Sequence, residues 1–236
     1  MIQSILKQFQ RSGMKFFWGN YFDSRFYIAY LISRRKSDLI LDLGCGNGIL
    51  LYFSNSSLKI GLDFSLESLS NAKKLDPKME LILGDVTYLP FRDRIFPRIL
   101  AVQILPQLNK LNNDIEKAIK ELKRISKENC ELILSGNNRR SRHFEHDKPK
   151  ANPLYLTYQE QHDLLKNDFF ITMEGYDPHS KVIMYPIRKI LYKIPEKLSE
   201  KLMLERFIYW FLKSKRYLKN GRSYVIMCYK KPSNQL

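Results

Sequence analysis

From residue 38 onward, short apolar runs alternate with stretches in which apolar residues recur every three or four positions. The runs fall at residues 39–43, 58–62, 79–83, 99–104 and 132–135. Their length and tight bounding by polar residues suit strands buried on both faces. Between them, residues 66–75 and 114–126 carry the spacing of amphipathic helices. Strands alternating with helices predict βαβ units, and so a doubly wound α/β fold with a mostly parallel sheet covered on both sides.

Outside this core the pattern is less regular. Residues 1–36 read as amphipathic helix with a crowded aromatic patch (Phe16, Phe17, Trp18, Tyr21, Phe22, Phe26, Tyr27). Residues 137–153 are polar and charged and read as a loop over the mouth of a site. A short helix at 158–165 and a strand at 169–173 follow. Residues 181–220 are basic, aromatic and helical in pattern, interrupted by Pro186 and Pro195, and a last strand spans 223–229. The expectation is one domain over 1–236: an N-terminal helical lid (1–36), a core (37–137) and a helical insertion (181–220) before the last strand.

Composition changes this picture in one respect. Hydrophobic residues at 44% and charged residues at 27% are ordinary for a folded domain and exclude global disorder. The charge is not ordinary: 40 Lys and Arg against 24 Asp and Glu leave +16. Such an excess favours anionic partners, whether nucleic acid, phosphorylated or lipid-linked substrates, or an anionic membrane surface. Cys45, Cys130 and Cys228 stand singly, without the spacing of a structural zinc site, as in proteins of a reducing compartment. The first ten residues lack the apolar core of a signal peptide, and no run approaches the roughly 20 apolar residues of a spanning helix. A cytoplasmic protein, with peripheral contact at a membrane surface, is expected.

The chemistry concentrates in residues 39–48, LILDLGCGNG. Gly44, Gly46 and Gly48 alternate after an apolar strand, where the backbone must turn tightly and approach a ligand without Cβ interference. Helix N-terminal amides are expected to face that ligand at the carboxyl edge of the sheet. Ile49 stands where a dinucleotide fingerprint has its third glycine, and no GK[ST] follows for a triphosphate. Asp42 ends the strand, and its carboxylate suits a cationic ligand better than a pyrophosphate.

DLGCGNG resembles the first motif of the class I S-adenosylmethionine-dependent methyltransferases, and Gln103-Ile104-Leu105-Pro106-Gln107 resembles the branch similar to ubiquinone and menaquinone biosynthesis enzymes. The resemblance covers about residues 36–137. It implies a Rossmann-like seven-stranded sheet with a reversed final hairpin, and S-adenosylmethionine as cofactor with S-adenosylhomocysteine as product. It implies that Asp63, followed by Phe64, holds the ribose hydroxyls. Asp85 would accept the adenine amino group, with Val86 beside the ring, and Gln103 would lie near the methionine moiety. Asp42, Gly44, Cys45, Gly46 and Gly48 complete the expected cofactor set. Each has a plainer reading: Asp63 as a helix-start residue, Asp85 as a turn former, Cys45 as a small residue in a loop. Lys127-Glu128-Asn129-Cys130 stands where the family often has Pro-Gly-Gly, a change expected to alter only a turn.

Methyl transfer from a sulfonium needs alignment and exclusion of water more than a dedicated base. His143 and His146 are the candidates for a base, in a loop otherwise readable as solvated charge. Tyr21 or Arg25 are candidates to contact the methionine carboxylate. The segment Gln103-Ile104-Leu105-Pro106-Gln107 lacks the Asn/Asp-Pro-Pro-Tyr/Phe signature of amide and exocyclic nitrogen methylases. The basic aromatic insertion suits an anionic or lipid-linked acceptor at a membrane interface. It also suits RNA, most plausibly tRNA, held by stacking and phosphate contacts. A helical cap packed on the sheet explains the same residues, and a methyltransferase-fold scaffold without catalysis is the third reading.

Overall fold

The computed structural model describes residues 24–105, 108, 113–137, 158–176 and 223–232. The chain enters through α1 (Ser24–Arg34) and alternates β1 (Ser37–Leu43), α2 (Ile49–Phe53), β2 (Ser56–Asp63), α3 (Leu66–Leu75) and β3 (Glu80–Leu83). It continues with β4 (Phe96–Val102), α4 (Asp114–Ile125), β5 (Ser126–Asn137), α5 (Tyr158–Leu165), β6 (Phe169–Tyr176) and β7 (Ser223–Lys230). The strands form one seven-stranded sheet in the order β3-β2-β1-β4-β5-β7-β6. β1 to β5 run parallel, and β7 is antiparallel to both β5 and β6. The doubly wound sheet and the reversed final hairpin are both present.

Each face of the sheet buries its own apolar layer. On one, Ile28 and Ile32 of α1, Ile49 to Leu51 of α2, and Leu69 and Ala72 of α3 pack against Ile40, Leu100, Ile133 and Val225. On the other, Ile115, Ala118, Ile119, Leu122 and Ile125 of α4 cover Leu41, Ile99, Leu132, Leu134 and Ile226. Successive strand residues alternate between layers, which is the period-2 geometry of a pleated strand. Ser65 begins α3 by accepting a hydrogen bond from the Ser68 amide, 3.2 Å away.

Strand bounds depart from the apolar runs where charge is buried. β4 starts at Phe96 rather than 99, and β5 spans Ser126–Asn137 rather than 132–135. The reason is a pair of charged residues inside the strands. Arg98 Nε donates to Glu131 Oε2 at 2.7 Å, Arg98 also reaches the Arg35 carbonyl, and Arg35 and Tyr229 complete the set around Glu131. Residues 127–130 are likewise strand, not turn. Helix α4 passes directly into β5, and the β4–β5 register slips between Phe96 and Arg98, where Asn129 takes a φ of 59°. β4 ends at Val102 because Gln103 turns to a φ of 62°.

Residues 1–23 of the expected lid, 138–153 of the expected loop and the expected insertion at 181–220 lie outside the described residues.

Candidate active site at the carboxyl edge of the sheet

Parallel pairing brings the carboxyl ends of β1, β2 and β3 side by side: Leu43 opposes Leu62, and Asp63 opposes Leu83. The glycine loop therefore starts beside Asp63. Gly44, Gly46 and Gly48 all have positive φ, at 64°, 53° and 73°. A Cβ on Gly44 would collide with the Ile104 side chain, and one on Gly48 would meet Ala72 and Met79. A Cβ on Gly46 would meet nothing within 4 Å. Two glycines thus seat the loop on the protein, and the middle one fronts open space.

The amides of this loop point inward. Gly44 and Cys45 donate to the Leu62 carbonyl at 2.7 and 3.1 Å, Gly48 donates to the Cys45 carbonyl, and Gly46 donates to Asp63 Oδ2 at 2.8 Å. These four amides are therefore engaged within the protein. Such a loop is poorly equipped for a phosphate, which needs those donors. What it presents instead is negative.

Asp42 is 1% exposed, and its Oδ1 has no hydrogen-bond partner. Desolvation, and then the Asp63 carboxylate, hold its carboxyl well above the usual range. Its lateral neighbours in the sheet are Gly61 and Leu100, which bring no polar side chain. Asp63 is buried too, but both oxygens are engaged: Oδ2 by Gly46 and Oδ1 by the Ser65 amide at 2.9 Å. Asp63 therefore ties the glycine loop to the start of α3, while Ser65 caps the helix. Burial and these two carboxylates push the Cys45 thiol far up, so it stays protonated and is no nucleophile.

Beyond β3, Asp85 Oδ1 accepts from the Thr87 amide and hydroxyl, each at 2.8 Å, forming the turn that its plainer reading anticipates. Val86 drops into the core, whereas Phe64 is 78% exposed at the adjacent strand end. Gln103 is half-buried at the end of β4, its amide donating to Ser135. The structure brings Asp42, Cys45, Gly46 and Asp63 into one cluster, with Phe64, Asp85, Val86 and Gln103 at neighbouring strand ends. Ile104, which fills the space over Gly44, was invisible in the sequence because it depends on a long-range approach. His143, His146 and Tyr21 lie outside the described residues, as does the Arg25 side chain.

Residues 41–134 match the family model of a methyltransferase domain. An uncharacterized protein of Methanocaldococcus jannaschii is 25% identical over 85% of this chain and 79% of its own. A demethylmenaquinone methyltransferase of Renibacterium salmoninarum is 32% identical over 51% of this chain and 46% of its own length. A tRNA (carboxymethyluridine(34)-5-O)-methyltransferase of Arabidopsis thaliana is 33% identical over 42% of this chain and 24% of its own. The chain thus spans less than half of either named enzyme. A solved S-adenosylmethionine-dependent methyltransferase of Thermotoga maritima has the same fold, with a TM-score of 0.63 at 19% identity, covering 98% of this chain and all of that one. The core thus has the fold of a solved S-adenosylmethionine-dependent methyltransferase, and its residues 41–134 match the methyltransferase domain model.

The donor set fits the cofactor of these methyltransferases. A sulfonium and an ammonium call for carboxylate without phosphate-binding amides, and the buried, unpartnered oxygen of Asp42 answers that need. The open side of Gly46 is where a bulky nucleoside can lie against backbone.

Proposed function

We propose that the chain is an S-adenosylmethionine-dependent methyltransferase whose acceptor is a small or lipid-linked molecule. The observation that carries the cofactor reading is the conjunction at the sheet edge of Asp42, with an unmet buried oxygen, and a glycine loop whose Gly44, Cys45, Gly46 and Gly48 amides are engaged within the protein. Bound S-adenosylmethionine supplies an electrophilic methyl carbon on a sulfonium and departs as S-adenosylhomocysteine.

The residues' part is to bind, orient and keep water out. Asp63 keeps a lone pair on each oxygen after its two amide contacts, and with these it holds the ribose hydroxyls. Asp85 receives the adenine amino group, with Phe64 and Val86 bounding the ring. Asp42 faces the cationic methionyl end, and Gln103, held at a strained φ, sits beside it. Aligning the two reacting atoms supplies up to roughly 7–11 kcal/mol of the barrier. His143 and His146 are the candidates to take a proton from an acceptor that must lose one.

The acceptor class rests on the demethylmenaquinone methyltransferase relative and on the basic aromatic stretch at 181–220. The tRNA methyltransferase relative and the +16 charge favour a second reading, in which tRNA is the acceptor. Methyl-labelled S-adenosylmethionine offered with a demethylated naphthoquinol in micelles, and separately with unmodified tRNA, distinguishes them. Label in the organic extract supports the leading reading. Label in tRNA alone rejects it for the second. Among the described residues no helix is long and apolar enough to cross a membrane. Peripheral contact is therefore tested by flotation with anionic vesicles at low salt, where the absence of binding removes that element.

A further inference from the structure

A carboxyl group at 1% exposure with an unpartnered oxygen is costly to leave ionised, and a second buried carboxylate beside it raises the cost. Among the described residues, the titratable groups acting on Asp42 are Asp63, from the end of β2, and Cys45, from the glycine loop. The other elements on that face bring apolar residues: Ile28 and Ile32 from α1, Ile49 and Leu50 from α2, Leu100 from β4. The cluster has two acids and no base.

Resting on the cofactor reading above, we propose that binding of the cofactor's cationic methionyl end expels a proton from Asp42. In the free protein the Asp42 carboxyl carries that proton. When the ammonium arrives, the O–H bond breaks, its electron pair stays on the carboxylate and the proton passes to solvent. No electrons are transferred and no co-reactant is needed. The free oxygen becomes the counter-charge of the ligand, so the pocket selects for the amino-acid end of the molecule as well as for its nucleoside.

Linkage fixes the direction of the pH effect. A proton lost on binding makes affinity rise with pH, by up to about tenfold per pH unit, between the Asp42 titration in the complex and that in the free protein. Above that window the dependence disappears. The Asp63 carboxylate is held by two amides in the structure.

The test is calorimetric titration with S-adenosylhomocysteine at pH 7, in phosphate and in Tris, beside 5′-methylthioadenosine, which lacks the amino-acid end. The expected result is an enthalpy that shifts between buffers, in the sense of proton release, for S-adenosylhomocysteine and not for methylthioadenosine. Asp42→Asn should abolish the shift seen with S-adenosylhomocysteine. Buffer-independent enthalpy for both ligands overturns the inference while leaving the cofactor site intact. A shift that survives in Asp42→Asn overturns it as well. If neither ligand binds the wild-type protein, the cofactor reading itself fails. Should Asp42→Asn not fold, the comparison of the two ligands on the wild type still decides.

Discussion

At the scale of single residues, the three glycines make separable predictions. Gly46→Ala meets no neighbour and suffers only from its positive φ, a cost of about 1–2 kcal/mol. Its methyl group would project into the space assigned to the nucleoside, so S-adenosylhomocysteine affinity should fall tenfold or more in a protein that stays folded. Gly44→Ala carries the same φ cost and adds a collision with Ile104, so it should lose more stability than Gly46→Ala in thermal denaturation. Equal losses would mean that Ile104 yields freely.

Asp42 makes a third prediction, about pH. Its native titration lies above the unfolded carboxylate value of about 4, so the folded state binds the proton more tightly. Stability from this group is fully present below the unfolded value and is lost as pH rises toward the native one. Asp42→Asn removes the loss. It should therefore be more stable than wild type at neutral pH, with the gap closing as pH falls toward 4, as read by denaturant titration across that range. Asp42 and Asp63 were legible in sequence because one lies just inside the end of an apolar run and the other just after one, and a parallel sheet puts all such ends on one edge. The spent loop amides and the Ile104 contact were not, since both depend on what lies opposite in space.

Among elements, the strands of the core were readable from their apolar runs, and the late apparent starts of β4 and β5 share one cause. A charged residue reads as a break, so Arg98 and Glu131 cut the apparent starts of β4 and β5 to 99 and 132. In the fold they satisfy each other within the sheet, joined by Arg35 and Tyr229. Removing Glu131 leaves the buried Arg98 without its carboxylate partner, holding only the Arg35 carbonyl. Glu131→Ala should lose about 3–5 kcal/mol in denaturant unfolding. The network lies toward the entry end of β4 and β5, away from the glycine loop. Affinity for S-adenosylhomocysteine in the folded fraction should therefore hold within about twofold, and a larger change would mean that the two edges of the sheet are coupled.

For the whole molecule, the periodicity carried the order of strands and helices into a doubly wound sheet, and the resemblance of DLGCGNG carried the chemistry. Acceptor choice was not legible, because the basic aromatic stretch and the polar segment before it carry charge and rings but no motif. The +16 charge makes one prediction here: if tRNA is the acceptor, log affinity falls linearly with log salt, with a slope near −0.9 per phosphate neutralised. Binding that ignores salt would leave the charge to another partner.

The most direct test of the site is a crystal structure of the chain with S-adenosylhomocysteine bound. The expected density lies across the glycine loop, with the ribose oxygens on Asp63, the adenine amino group on Asp85 and the ammonium within hydrogen-bond distance of Asp42 Oδ1. Density elsewhere on the surface, or a ligand across the loop that leaves Asp42 unpartnered and Asp63 untouched, would contradict this assignment.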